Sequence, residues 1–316
     1  MKPTRPRKHP PAHPRRPGAR AAAPHDAGRC PGVGVSHECD HPPEVNGIPR
    51  VTHCAIHGGH LPSAAADRWV TDALAATGTL YTLDEELVRR LRPDVILTQR
   101  LCDVCAVAYG SVAAFAATLP GPPRVASLEP SSVADIFRDV QTVAELLGVP
   151  ERGMGVVAAL ERRVAAVRTR VAGQPRRRCI VLEWIDPPYR CGHWIPELVE
   201  IAGGVEPLGR TGEDATRVAW DAVVEAQPEV LVLACCGYDI GRTRVDLPFL
   251  RTRPGWAALP AVRDGAIYVV DGSAYFSRPG PRIVESLEIL AGILHPERFG
   301  DHFPAGAVER VRDEAP

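Results

Sequence analysis

The sequence lacks long apolar runs, a charge excess of either sign, and the short motifs of the common catalytic sites. No stretch approaches the roughly 18 consecutive apolar residues that a membrane-spanning helix requires. The formal net charge is -1 and the pI about 6.8, so nucleic acid or an anionic membrane is not expected as a partner of the whole chain. There is no GxSxG elbow, no GxxxxGK[ST] phosphate loop and no HExxH helix. Gly203-Gly204 and Gly58-Gly59 stand outside the strand–GxGxxG–helix context of a dinucleotide site. Aromatic residues are sparse, at 5%. Cysteine is not sparse, but nine cysteines in 316 residues, two of them adjacent at 235 and 236, do not form the pattern of a secreted disulfide scaffold. Reduced thiols are expected.

What is present suffices for ordinary cores. Hydrophobic residues make up 45% and charged residues 24%, values of a soluble globular protein of about two domains. The two halves carry a repeat. Leu91–Cys105 reads LRPDVILTQRLCDVC, and Ala226–Asp239 reads AQPEVLVLACCGYD. Each has a helix tail, a Pro, an acid, an apolar run and a loop with Cys and Asp, and an amphipathic helix precedes each (TLDEELVRRL, AWDAVVEAQ). An apolar run after a Pro stop reads as a buried parallel strand. Ligands of open α/β sheets sit at the carboxyl ends of such strands, so two equivalent loops suggest two lobes facing each other across a cleft.

In chain order, residues 1–30 are rich in Pro, Arg and His and have Asp26 as their sole acid. No apolar core of a secretory signal is visible there, and the composition predicts disorder. A basic tail for an acidic surface and a misplaced or frame-altered start are the alternatives. Short strands are expected at Val33–Ser36, Ile48–Thr52 and Leu80–Tyr81, and helices at Asp67–Ala76, Leu83–Leu91 and Val107–Thr118. A strand Arg124–Leu128 leads to Ser131-Ser132, which caps a helix Val133–Leu147 with Asp135 as the capping-box acid. The helix Glu151–Val171 is the natural strut between lobes. The second lobe has strands Cys179–Leu182, Val230–Leu233 and Ala266–Val270, and helices Pro196–Ala202, Trp220–Ala226, Leu247–Leu259 and Ile283–Leu294. The expected organisation is a tail 1–30, a first α/β lobe 31–148, an inter-lobe helix 149–175, a second α/β lobe 176–300 and a tail 301–316.

Several clusters bear on chemistry. His37-Glu38-Cys39-Asp40-His41 stands at a strand end and reads as a ligand site or as a Pro-stiffened polar turn. His53, Cys54, His57 and His60 match no zinc spacing and fit a solvated loop better. Cys102 and Cys105 form a CxxC, open between redox or metal chemistry and a packed, ligand-lining pair. Trp184, Tyr189, His193, Trp194, Tyr238, Tyr275 and Phe276 collect on strand-end loops. Each alone suits core packing; together they suit a large, flat, partly apolar ligand.

Four runs carry a resemblance: GVSHECDHPPEV, LRPDVILTQRLCDVCAV, VLEWIDPPYRCGHWIPELVEIAGG and DGSAYFSRPGPRIVESLEIL. Together, from about Val33 to Pro296, they resemble cobalamin-binding proteins of the periplasmic-binding-protein family, relatives of the B12-receiving component of ABC importers. The resemblance implies two Rossmann-like lobes, each a mainly parallel sheet with flanking helices, bridged by one long helix and moving little on binding. It implies a corrinoid held between the lobes, no catalytic cofactor, and an ABC permease as a possible partner of a monomer. By motif match, His41 falls where a relative has a ligand-contacting Tyr. Gln99 to Cys105, Trp184 to Trp194 and Tyr275 to Arg278 match cleft-facing loops. The ligand contacts expected are thus His37, Cys39, Asp40, His41, Gln99, Cys102, Trp184, Tyr189, His193, Trp194, Tyr238, Tyr275, Phe276 and Arg278. His37, His41 and His193 are open between ligation of cobalt and contact with ligand side chains. A heme or a siderophore is the alternative ligand.

Relatives begin with a strand and helix whose place here is held by the Pro/Arg tail, so an open sheet edge is expected in the first lobe. As written, the chain is expected to be cytoplasmic; an upstream start would make it periplasmic or cell-surface. The competing readings are a cytoplasmic thiol- or metal-dependent protein using Cys39, Cys102 and Cys105, and an incompletely folding product of an altered frame.

Overall fold

The computed structural model describes residues 32–54, 61–100, 107–300 and 303–311. In the first half, β1 (Thr52–Cys54) pairs antiparallel with β2 (Tyr81–Leu83), and a 15-residue helix, Ser63–Thr77, is inserted between them. Gly78 ends that helix at φ 71, a left-handed conformation that glycine adopts without steric cost. Next, β3 (Val95–Thr98) pairs in parallel with β4 (Arg124–Ser127). At Val33–Ser36, where a strand was expected, there is a single bridge between Val35 and Arg50.

Two helices follow, Val133–Leu146 and Pro150–Val171. The first has the expected capping box: Ser132 Oγ accepts from the Asp135 amide at 3.2 Å, and the Asp135 carboxylate accepts from the Ser131 amide and both hydroxyls. The second is the 22-residue strut, with Pro150 in its first turn. Leu160, Val164, Val167 and Val171 form its buried stripe at helical spacing. Arg163 locks the strut to the helix Ile283–Leu294 by donating to both oxygens of Glu288, at 2.9 and 2.7 Å.

The second half is built on one seven-stranded sheet. Its strands are β5 (Arg177–Trp184), β6 (Tyr189–Arg190), β7 (Gly204–Val205), β8 (Thr216–Arg217), β9 (Val230–Leu233), β10 (Ile267–Val270) and β11 (Val308–Val311), in the order β11-β10-β9-β5-β6-β8, with β7 on β5. Strands β5, β9 and β10 are parallel. Every residue of β9 and β10 is buried, as an apolar run covered on both faces must be. Alternate side chains enter two cores: Val230 and Val232 face the strut and the helix Ile283–Leu294, while Leu231 and Leu233 face Trp220 and Trp256.

Two expectations are corrected. Leu247–Leu259 is not a single helix: it breaks after Arg251 and resumes as a short turn at Trp256, because Pro254 and Gly255 (φ 79) interrupt it. The segment 301–316 is not merely a tail, since Val308–Val311 adds an antiparallel edge strand to β10 and buries Val311. Among the described residues, no strand takes beside β3 the place that β5 takes beside β9.

Candidate ligand-binding site

The carboxyl ends of the parallel strands carry most of the side chains singled out in the sequence, and they meet across the lobes at two places. The first lies under the inserted helix. Trp184, at the end of β5, packs against Tyr238, beyond β9, with ring centroids 4.8 Å apart and the planes tilted by 42°. Its indole N–H donates to the Ser63 carbonyl at 3.3 Å and the Asp186 carbonyl at 3.2 Å. Arg242 lies over the Tyr238 ring at 4.4 Å, and burial pushes the Tyr238 hydroxyl up to about 12. Arg242 also pairs at 3.2 Å with Asp246, a 7% exposed carboxylate whose two oxygens accept from the Ser63 amide at 3.3 and 3.2 Å. One turn further, Tyr189 donates to Asp67 at 3.3 Å, and Arg217 donates to both the Tyr189 hydroxyl (3.0 Å) and Asp67 (2.8 Å).

The second place joins the loop after Val35 to the loop after β10. Arg278 donates to Asp40 at 2.5 Å and to Ser273 Oγ at 3.0 Å, with Glu38 3.7 Å away. Tyr275 is half-buried beside it, with Arg282 over its ring at 5.5 Å, and burial raises its hydroxyl pKa.

The remaining expected contacts are spread more widely. His37 is held by Thr52, whose Oγ1 lies 2.7 Å from Nδ1, and packs on Tyr81; burial lowers its pKa. His37 and His41 have the i, i+4 spacing of a zinc-binding helix, but the segment turns at Cys39, whose amide donates to the Ser36 carbonyl. Cys39 sits in that turn, 3.3 Å from Ser36 Oγ, and its carbonyl is held by Arg50. Asp40 and His41 are exposed, and Gln99 is half-buried at the end of β3. Cys102, Cys105 and the tail 1–30 lie outside the described residues. Among the described residues, no group of three or more His, Cys, Asp or Glu side chains is placed to hold a metal ion.

The structure places Trp194 and Phe276 in the core, 5% and 0% exposed, and not on a ligand-facing surface. The Trp194 indole spends its N–H on the Phe276 carbonyl at 3.1 Å, so the two aromatics brace each other. His193 stands apart from both contact places. Its amide bonds to Glu213, its Nε2 lies 3.3 Å from Asp214, and burial lowers its pKa. Ser63, Asp67, Arg217 and Asp246 were not anticipated. Their contacts between the helix Ser63–Thr77 and the second half join residues more than a hundred positions apart and leave no short-range pattern.

Comparison with known proteins agrees with this architecture. Residues 60–274 match the sequence profile of the periplasmic binding protein family, and the chain belongs to that family. It is a non-catalytic solute-binding protein. No curated protein sequence matches it. Among solved structures, a periplasmic heme-binding protein from Pseudomonas aeruginosa superposes with a TM-score of 0.65 at 18% identity, over 89% of this chain and 90% of that one. A periplasmic vitamin B12-binding protein from Vibrio cholerae gives 0.59 at 18% identity, over 83% and 87%. An ABC transporter substrate-binding protein from Listeria monocytogenes EGD-e gives 0.61 at 15% identity, over 84% and 91%. At these identities the likeness is one of fold.

Proposed function

We propose that the protein binds a corrinoid between its lobes and presents it to an ABC-type permease on the outer side of a membrane. The observation that carries the choice of ligand is the charge state of the facing rims. Arg100, Arg217, Arg242, Arg253 and Arg278 each lie within ion-pair distance of a carboxylate of Glu129, Asp67, Asp246, Asp186 or Asp40. A heme brings two propionates, and many siderophores carry several negative charges; both call for cations left free at the site. A corrinoid is rimmed by neutral amides and suits a rim whose arginines are mostly ion-paired, Arg282 over the Tyr275 ring excepted, with half-buried aromatic surface at Trp184, Tyr238 and Tyr275. The four sequence runs that resemble cobalamin-binding proteins support the same ligand. Asp40, Gln99, Tyr275 and Arg278 are the contacts assigned to it on the open part of the rims.

The test is co-elution. Protein incubated with cyanocobalamin, and separately with hemin, is passed through a desalting column and its visible spectrum recorded. Retention of the cobalamin bands by wild type, with loss in Tyr275→Ala, is expected. Retention of hemin alone would overturn the corrinoid assignment and leave the solute-binding role intact.

A further inference from the structure

The helix Ser63–Thr77 has a position that its place in the chain does not require. It leaves and rejoins the first lobe at two paired strands, β1 and β2, so a tight hairpin there would complete the pairing. Instead the insertion crosses to the other lobe and seats its first turn on the strand-end loops. Its first amide is accepted by Asp246, its first carbonyl accepts from Trp184, and Asp67, one turn on, is held by Tyr189 and Arg217. The surface it covers includes Trp184, packed on Tyr238, the aromatic pair assigned above to the ligand rim. Asp246 is positioned for this contact: it is buried, already paired with Arg242, and spends both oxygens on an amide from the opposite lobe. Beyond its first turn the helix is held loosely. Apart from Ser63 it buries only Ala66, and most of its surface is intermediate or exposed. The contact is therefore polar, local and reversible, carried by a few hydrogen bonds and one ion pair that is 56% exposed on its arginine side.

We infer that the helix Ser63–Thr77 is a lid: docked through Asp246, Trp184 and the Asp67–Tyr189–Arg217 cluster, it covers Trp184 at the ligand rim, and its release admits ligand. The inference rests on the solute-binding reading and goes beyond it by naming the moving element and its latch. Two variants separate latch from fold. Ser63→Pro deletes the amide that Asp246 accepts. Proline is compatible with the first helical position, and the extended backbone of Pro62 (ψ 148) suits a residue before proline. Arg217→Ala removes the exposed arm of the cluster.

The first readout is hydrogen exchange without ligand. Amides of residues 63–77 are expected to exchange about tenfold faster in Ser63→Pro and about threefold faster in Arg217→Ala, with β9 and β10 unchanged. Unchanged exchange at 63–77 in both variants would overturn the latch. The second readout is the stopped-flow association rate of cyanocobalamin, or of hemin if cyanocobalamin does not bind wild type. Faster association in both variants is expected. Association no faster than wild type in variants whose helix exchanges faster would overturn the lid, and failure of both ligands to bind wild type would overturn it as a gate for either ligand, leaving the latch result and the family assignment standing.

Discussion

The two halves of this protein hold the same local motif in different surroundings. Val95–Thr98 and Val230–Leu233 follow the same helix, Pro and acid, and both form a strand with one parallel partner on the same side, β4 or β10. There the likeness ends. Strand β9 has β5 on its other edge and is buried at every residue; β3 has no second neighbour among the described residues, and Leu97 is 44% exposed. The core under β3 consists of Val88, Phe115 and Leu119, whereas β9 lies between two large cores. Local sequence sets the element, and the neighbours set how much free energy it contributes.

Substitution of one leucine in each strand tests this most strongly. Leu231→Ala, at a fully buried site, is expected to cost about 2–5 kcal/mol in urea unfolding, while Leu97→Ala stays within about 0.5 kcal/mol. Equal costs would break the comparison. Supplying a neighbour sharpens it. A copy of Arg177–Gly203 fused ahead of Gly32 is expected to slow hydrogen exchange at Val95–Thr98 and to leave Val230–Leu233 unchanged; no change at Val95–Thr98 would mean that its edge is not open.

A smaller effect concerns the helix leading into the strut. Ser132→Ala removes the cap and is expected to cost about 1 kcal/mol. Burial pushes the Asp135 carboxyl up, but the Ser132 and Ser131 hydrogen bonds and Arg138 outweigh it and hold the pKa at about 2, below the usual 3.8. A depressed carboxylate pKa favours the fold above the unfolded value and ceases to do so as pH falls through the folded one. Protection of residues 133–146 should therefore fall between about pH 4 and pH 2, and from a higher pH in Ser132→Ala. The smallest effect is at the strut itself. Glu288→Gln breaks a half-exposed pair and is expected to cost roughly 0.2–1 kcal/mol, less in high salt.

Much of the fold was legible because it is written in short-range patterns. The run Val230–Leu233 between Pro228 and a Gly-containing loop, the Ser132–Asp135 box and the stripe of the strut each need fewer than about 20 neighbouring residues to be recognised. The Leu247–Leu259 stretch misleads because its apolar spacing outlasts the Pro254-Gly255 break. In the site, the loops were legible but the directions of their side chains were not. Trp194 and Tyr189 sit in the same sequence run, yet one braces Phe276 in the core and the other reaches Asp67. The clasp of Asp246 on Ser63 spans 183 positions and exists only once both lobes are folded.

The most direct test of the binding account is a calorimetric titration of the full chain with cyanocobalamin, with hemin titrated in parallel. Saturation by one cyanocobalamin per chain, with hemin weaker, is the predicted result. No heat with cyanocobalamin from protein that circular dichroism shows to be folded, or one-to-one saturation by hemin alone, would contradict it.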